Sequence, residues 1–146
     1  MLNFVTTDYL TDGARMIREE VFVKEQKFCD EFDDIDNEAC CMTVYEEELP
    51  IACCRFFKGH EQDEYVLGRL AILKSYRGKG LGEEIIRQIE KIVMDMGGKT
   101  LSLSAQVRAK GFYEKQGFQE QGDIYYEEYC EHIHMEKKLE VDKTEI

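Results

Sequence analysis

No stretch of this 146-residue chain approaches the roughly 18 consecutive apolar residues of a membrane helix, although hydrophobic residues make up 43% of it. That argues against a membrane span and predicts a soluble protein. The opening MLNFVTTDYLTDGARMIREE has neither a basic leader nor a long apolar segment, so no signal or transit peptide is expected and the chain is read as cytoplasmic. There is also no C-x-x-C pair among its six cysteines, Cys29, Cys40, Cys41, Cys53, Cys54 and Cys130. Adjacent cysteines on a strand point to opposite faces, so the two CC pairs read as small hydrophobes in a reducing compartment and not as disulfides or metal ligands. No linker or internal repeat divides the sequence, which predicts one domain over residues 1–139 and a frayed tail over 140–146.

Positive charge is scarce as well: 19 Lys and Arg face 31 Asp and Glu, a net charge of −12. Such a balance argues against a nucleic-acid partner and favours cationic or amine-bearing ones. The distribution is uneven. From Arg18 to Glu64 five basic residues meet fifteen acidic ones, whereas from Gly68 to Lys110 nine basic residues meet four acidic ones. The one basic segment is centred on a glycine-rich loop and looks built to receive an anion.

Hydrophobic periodicity sets the expected elements. LNFVT predicts a short strand, and Tyr9 to about Glu25 predicts a helix with Leu10, Ala14, Ile17 and Val21 on one side, capped by Thr11 or Asp12. Lys27 to Glu38 is acidic and turn-prone, a loop or broken helix. ACCMTVYE and PIACCRFF predict a hairpin, and YVLGRLAIL reads as a central strand. Leu81, Ile85, Ile86, Ile89, Ile92, Val93 and Met96 then recur at helical spacing until Gly97 and Gly98. TLSLSA, a short helix near Ala109 to Gln116, and two strands at about 118–125 and 128–137 complete the order. The expectation is a mixed α/β sheet flanked by helices, with one βαβ crossover making the central strand and TLSLSA parallel.

Tyr76 to Lys91, YRGKGLGEEIIRQIEK, raises a question of cost, because glycine is disfavoured by about 0.5–1 kcal/mol in regular structure. A strand running into a glycine loop that opens a helix is a recurrent phosphate site: the first helical N–H groups lack internal partners, and glycines let an anion reach the backbone. Arg77 and Lys79 add full charges. A P-loop needs G-x-x-x-x-G-K-[ST], but Glu83 and Glu84 follow Gly82; a dinucleotide loop needs G-x-G-x-x-G, but Gly78, Gly80 and Gly82 are evenly spaced. A pyrophosphate loop and a merely structural turn are the two readings left open.

RGKGLG resembles the Q/R-x-x-G-x-G/A signature of the GNAT N-acetyltransferase superfamily, and GFYEKQGF resembles that family's later F/L-Y-x-x-x-G-F element. REEVFVKEQ, the E-x-D-x-x-D acids Glu31, Asp33 and Asp36, LSAQVRAKGFYEKQGF and HIHM are similar to the ElaA-like subgroup, so the likeness runs from about Met1 to Leu139. It implies the GNAT fold: a twisted, mostly antiparallel sheet of about six to seven strands with a splayed parallel central pair. It also implies acetyl-coenzyme A as cosubstrate, with the pantetheine on the backbone of Leu70, Ala71 and Ile72. The pyrophosphate is expected on the amides of Gly78, Lys79, Gly80, Leu81, Gly82 and Glu83, with Arg77 and Lys79 as charge partners.

Acetyl transfer to an amine needs a neutral amine, a polarised thioester and a proton for the thiolate. The resemblance implies Tyr113 as general acid; a phenol of pKa about 10 suits a thiolate of comparable basicity. Glu64, just before the central strand, is the candidate base, with Glu25 and His132 as alternatives. Glu25, Glu31, Asp33 and His132 are candidate acceptor-site residues. His134 shares a face with His132, but no complementary cluster is evident in the sequence and no metal is expected. The function so implied is acetyl transfer to a small-molecule or protein amine by direct transfer in a ternary complex, in a monomer or homodimer. A coenzyme A-binding sensor without turnover and a nucleotide-dependent enzyme are the competing functions.

Overall fold

Proline cannot donate to a strand ladder, and the chain's single proline marks where its first hairpin bends. Strands β2 (Cys40–Glu46) and β3 (Leu49–Lys58) pair antiparallel, and their register shifts between Val44 and Tyr45, which face Ala52 and Pro50. The structure, a computed structural model, describes residues 1–139, so the expected tail lies outside the described residues.

Seven strands form the sheet: β1 (Leu2–Thr7), β2, β3, β4 (Glu64–Ile72), β5 (Thr100–Gln106), β6 (Gln119–Glu127) and β7 (Cys130–Lys138), in spatial order β1-β2-β3-β4-β5-β7-β6. Strand β1 pairs with β2, and β7 with both β5 and β6, all antiparallel. Strands β4 and β5 are the parallel pair that the βαβ order predicts, and among the described residues three α-helices, α1 (Asp12–Arg18), α2 (Leu81–Asp95) and α3 (Lys110–Lys115), complete the mixed sheet fold. Two compact units can be distinguished, one of Met1–Phe57 with Leu67–Glu84, the other of Lys58–Val66 with the chain from Ile85 onward.

In the first unit Thr11 caps α1 by accepting the Ala14 N–H at 3.0 Å. The helix is shorter than the apolar spacing predicts. From Glu19 to Glu25 the chain winds as a π-helix, with the Gln26 N–H reaching back to Val21 O at 3.0 Å. Ala14, Ile17, Val21 and Phe22 nevertheless pack together with Cys41, Cys53 and Ala71. Cys53 and Cys54 are both buried although their side chains alternate, so both faces of β3 are covered there. All six cysteines are free thiols.

In the second unit Leu101, Leu103 and Ala105 lie opposite Lys137, Met135 and Ile133, one face of β5 and β7, and Ser102, Ser104 and Gln106 lie opposite Glu136, His134 and His132, the other. Strand β6 is exposed along its whole length. Helix α2 ends as its glycines predict. Gly97 takes φ 88°, its N–H bonds Met94 O at 3.0 Å, and the Gly98 N–H bonds Val93 O at 2.8 Å, the paired bonds of a Schellman stop. A Cβ at Gly98 would strike the Val93 side chain and lie 2.8 Å from Tyr65 Cδ1. Gly98→Ala should therefore lower stability by about 1–3 kcal/mol, read as a reduced urea midpoint with an unchanged slope.

Candidate functional site

A short 3-10 turn, Lys74–Tyr76, leads from β4 into the glycine loop, and Gly78 and Gly80 take φ 76° and 82°. Nothing lies within 4 Å of where their Cβ atoms would be. The constraint at both is therefore backbone conformation, which disfavours an L side chain by about 1–2 kcal/mol, and not crowding. Leu81 opens α2, whose first N–H groups have no partner inside the helix. Lys79 is exposed, its ammonium 5.7 Å from the Tyr76 ring centroid.

Arg77 is deployed differently from the expectation. Its Nη1 and Nη2 donate to the two Glu25 oxygens, both at 2.8 Å, and its Nε donates to Ile72 O at 2.8 Å. The arginine expected at the pyrophosphate thus ties the π-helix to the end of β4, and Glu25, expected at the acceptor, is its counter-ion.

Glu31 and Asp33 call for a larger correction. Arg18, 1% exposed, donates Nε to Glu31 Oε2 at 2.7 Å and Nη1 to Asp36 Oδ1 at 2.7 Å. Arg55 Nη1 reaches Asp33 Oδ1 at 2.7 Å and Asp36 Oδ1 at 3.0 Å, while its buried Nε has no hydrogen-bond partner. Arg69 donates Nε and Nη2 to the Glu31 carbonyl at 3.2 and 3.1 Å and lies 3.0 Å from its carboxylate. The acids expected to receive a cationic acceptor receive three arginines of the chain itself. Arg69 also has φ 51°, left-handed backbone inside a strand, immediately before Leu70, Ala71 and Ile72. Phe32 is flanked by the guanidinium carbons of Arg15 and Arg18, 4.9 and 4.7 Å from its centroid.

The acids respond unequally. Burial opposes ionisation of Asp36, but hydrogen bonds from Arg18, the Asp33 N–H and Arg55 prevail and bring its carboxyl to about 2. The Arg55 hydrogen bond lowers Asp33. Burial outweighs Arg69 and Arg18 at Glu31, which is raised.

In the second unit Tyr113 lies in α3, half-buried, edge-on to Phe112 and Phe118 at 5.1 and 5.9 Å. Its carbonyl accepts the Phe118 N–H at 3.1 Å, and Gly117 takes φ 96°, so the glycine of GFYEKQGF closes the helix that carries the tyrosine. His132 is buried, with Nδ1 3.0 Å from Cys130 O and Nε2 3.5 Å from Glu127, and it stacks on Tyr125. Ser104 joins this group through Tyr125 and, at 3.0 Å, Glu127. Glu64 is buried and accepts from Ser102 Oγ at 2.7 Å and from the Glu61 N–H at 3.0 Å. Burial opposes its ionisation, but those bonds and the nearby His134 and His60 outweigh it and hold the carboxyl below its ordinary value. A carboxylate so occupied is a poor proton acceptor, which argues against the expected base role.

The model of the acetyltransferase (GNAT) domain matches residues 5–139. The chain belongs to the GNAT acetyltransferase family. It is 39% identical over 108 residues to the uncharacterized N-acetyltransferase YjcF of Bacillus subtilis, covering 72% of this chain and 75% of that one. The crystal structure of Escherichia coli ElaA superposes with a TM-score of 0.83 at 22% identity, over 94% of this chain and 99% of that one. A Bacillus subtilis acetyltransferase in complex with CoA superposes with a TM-score of 0.74 at 14% identity, over 95% and 99%. This GNAT chain is an N-acetyltransferase. Ser102 and Ser104 of β5, with Tyr125 and Glu127 of β6, join the polar residues singled out from sequence; only strand alternation hinted at them. Among the described residues no helix is long and apolar enough to cross a membrane.

The sign of the pH effect follows from the acids. A lowered carboxyl adds stability that is complete above about pH 4, its unfolded range, and is lost as pH falls through the folded value. Glu31 acts oppositely, because a raised folded pKa favours the folded state as pH falls. Asp36→Asn should thus be less stable than the parent at pH 7, and the gap measured by urea unfolding should close towards about pH 2. Arg18→Met, which takes from the buried Glu31 carboxylate and from Asp36 their 2.7 Å partner and leaves each with one arginine, should lose roughly 3 kcal/mol at neutral pH.

Proposed function

We propose that this chain moves an acetyl group from acetyl-coenzyme A directly to an amine within a ternary complex. The reading rests chiefly on the loop: two left-handed glycines leading into the N-terminus of a 15-residue helix, with exposed Lys79 between them. Such a loop can give the amides of Gly78 to Glu83 to a pyrophosphate, with Lys79 as its full positive charge. The pantetheine amides would pair with the backbone of Leu70, Ala71 and Ile72, and the Ile72 N–H would polarise the thioester oxygen. The family model and the CoA-bound relative support this choice of donor.

In the reaction the amine nitrogen attacks the thioester carbon, the C–S bond breaks, and the thiolate takes a proton from the Tyr113 hydroxyl, while the nitrogen gives up its surplus proton to solvent, which in turn reprotonates the Tyr113 phenolate. Glu64 enters this scheme as a fixed negative charge. The acceptor reacts as its neutral amine fraction, having lost its proton to solvent. A covalent acetyl-cysteine is disfavoured because burial pushes the Cys53 and Cys54 thiols up, and a neutral buried thiol is inert. We read residues 1–139 as one catalytic domain and place it in the cytoplasm, where six free thiols persist.

Two variants test the scheme by thiol release and coenzyme A binding. Tyr113→Phe should lower kcat by about 10²-fold with coenzyme A affinity little changed, and unchanged turnover would remove Tyr113 from its role. Gly80→Ala should weaken coenzyme A binding about tenfold through backbone strain alone. Activity should climb with pH towards the pKa of the acceptor amine, with the same profile in Glu64→Gln; a flattened profile in that variant would return the base role to Glu64.

A further inference from the structure

Acetyl transfer uses no metal ligand, yet the polar face of the second unit gathers a set of them. Glu64, His134 and Glu136 each offer one ligand atom, and all three atoms lie within 4.8 Å of one another. His134 Nε2 and Glu136 Oε2 are 3.9 Å apart, presented from alternate positions of β7. The sequence showed no complement to His134 because Glu64 arrives from another strand. We propose that Glu64, His134 and Glu136 bind a divalent first-row transition ion of the Zn²⁺ type.

The three members are unequal, and their inequality favours a site. Glu64 is 8% exposed and immobilised: Ser102 Oγ and the Glu61 N–H each hold one of its oxygens, leaving lone pairs on both for a metal. It also packs against Gly59, where a Cβ would come within 2.5 Å of Oε1, so no other residue fits there without displacing it. His134 and Glu136 have side chains 42% and 37% exposed and can turn about χ1 and χ2. Ligand atoms around Zn²⁺ stand about 2.0–2.2 Å from the ion and hence roughly 3–3.6 Å apart, so closing the set asks these two to swing by about 1 Å. The anchored carboxylate supplies position and the mobile pair supplies closure.

Chemistry selects the ion. One imidazole with two carboxylates suits Zn²⁺, Mn²⁺ or Co²⁺, whereas Mg²⁺ and Ca²⁺ seek six or more oxygens. The two carboxylates provide −2 to balance the charge of a divalent ion. Ser102, buried and bonded to Glu64, is the outer partner that orients a ligating carboxylate. Three protein ligands leave a fourth tetrahedral position for water, and the ion would clamp the start of β4 to β7.

Calorimetric titration of the full chain with Zn²⁺, after chelator treatment and in a Cys29→Ser, Cys40→Ser, Cys130→Ser background, tests the assignment without interference from accessible thiols. One equivalent should bind and raise Tm, while Mg²⁺ at equal concentration should do neither. His134→Ala and Glu136→Gln should each weaken binding at least tenfold, and Ser102→Ala about tenfold, with circular dichroism unchanged. Co²⁺ substitution should give d–d bands without thiolate charge transfer. Absence of stoichiometric Zn²⁺ binding, or binding undiminished in both His134→Ala and Glu136→Gln, would overturn it.

Discussion

Arg69 lies in a backbone region that costs a non-glycine residue about 1–3 kcal/mol, in the middle of the strand that leads to the glycine loop. Such a conformation persists only where its surroundings over-determine it. Here the surroundings are Glu31 and Asp33, which hold the guanidinium, and Arg18 and Arg55, which hold those acids. Most of this network is buried, so its Coulomb energy is offset by desolvation. Its value is positional. Removing one member leaves the remaining charges without compensation, and the geometry at Arg69 loses its support.

Arg77 repeats the device on a smaller scale and nearer the surface. Its bonds to Glu25 and Ile72 O join the π-helix, the end of β4 and the start of the loop. The backbone that would carry the pantetheine therefore lies between two ionic fixtures, one before Leu70 and one after Ile72. Glycines give the loop its shape, but the shape is held from outside by side chains that need touch no cosubstrate. The basic segment is thus partly spent on internal acids: of the two exposed cations in RGKGLG, Arg77 is tied to Glu25 and Ile72 O.

Strands, helices and the α2 stop were readable because periodicity and glycine placement are local. Ala14, Ile17 and Val21 reveal a buried helix face wherever the helix ends up. Arg18 lies on that same face, Arg55 within PIACCRFF and Arg69 within YVLGRLAIL; a charge inside an apolar run was the available sign of a buried partner. The partners themselves were hidden, because the pairing of Arg55 with Asp33 or of Ser102 with Glu64 is created by tertiary folding. Acids in a turn-prone segment look like a solvated loop or a cation site until the arginines opposite them are known. The switch to π-winding at Glu19 left no periodic signal, since Val21 and Phe22 stay buried in either register.

Strand β6 has a consequence for how this protein behaves in a crowded solution. Nine exposed residues along an edge, with Ile124, Tyr125 and Tyr126 among them, would ordinarily invite another strand to add on. Glu120, Asp123 and Glu127 punctuate that edge, and a register shift between Gln121 and Tyr125 breaks its straight line of hydrogen-bonding groups. Two copies meeting edge to edge would bring like charges together along a bent seam. The acidity of the chain thus acts as a colloidal safeguard at its most adhesive border, one that salt weakens by screening.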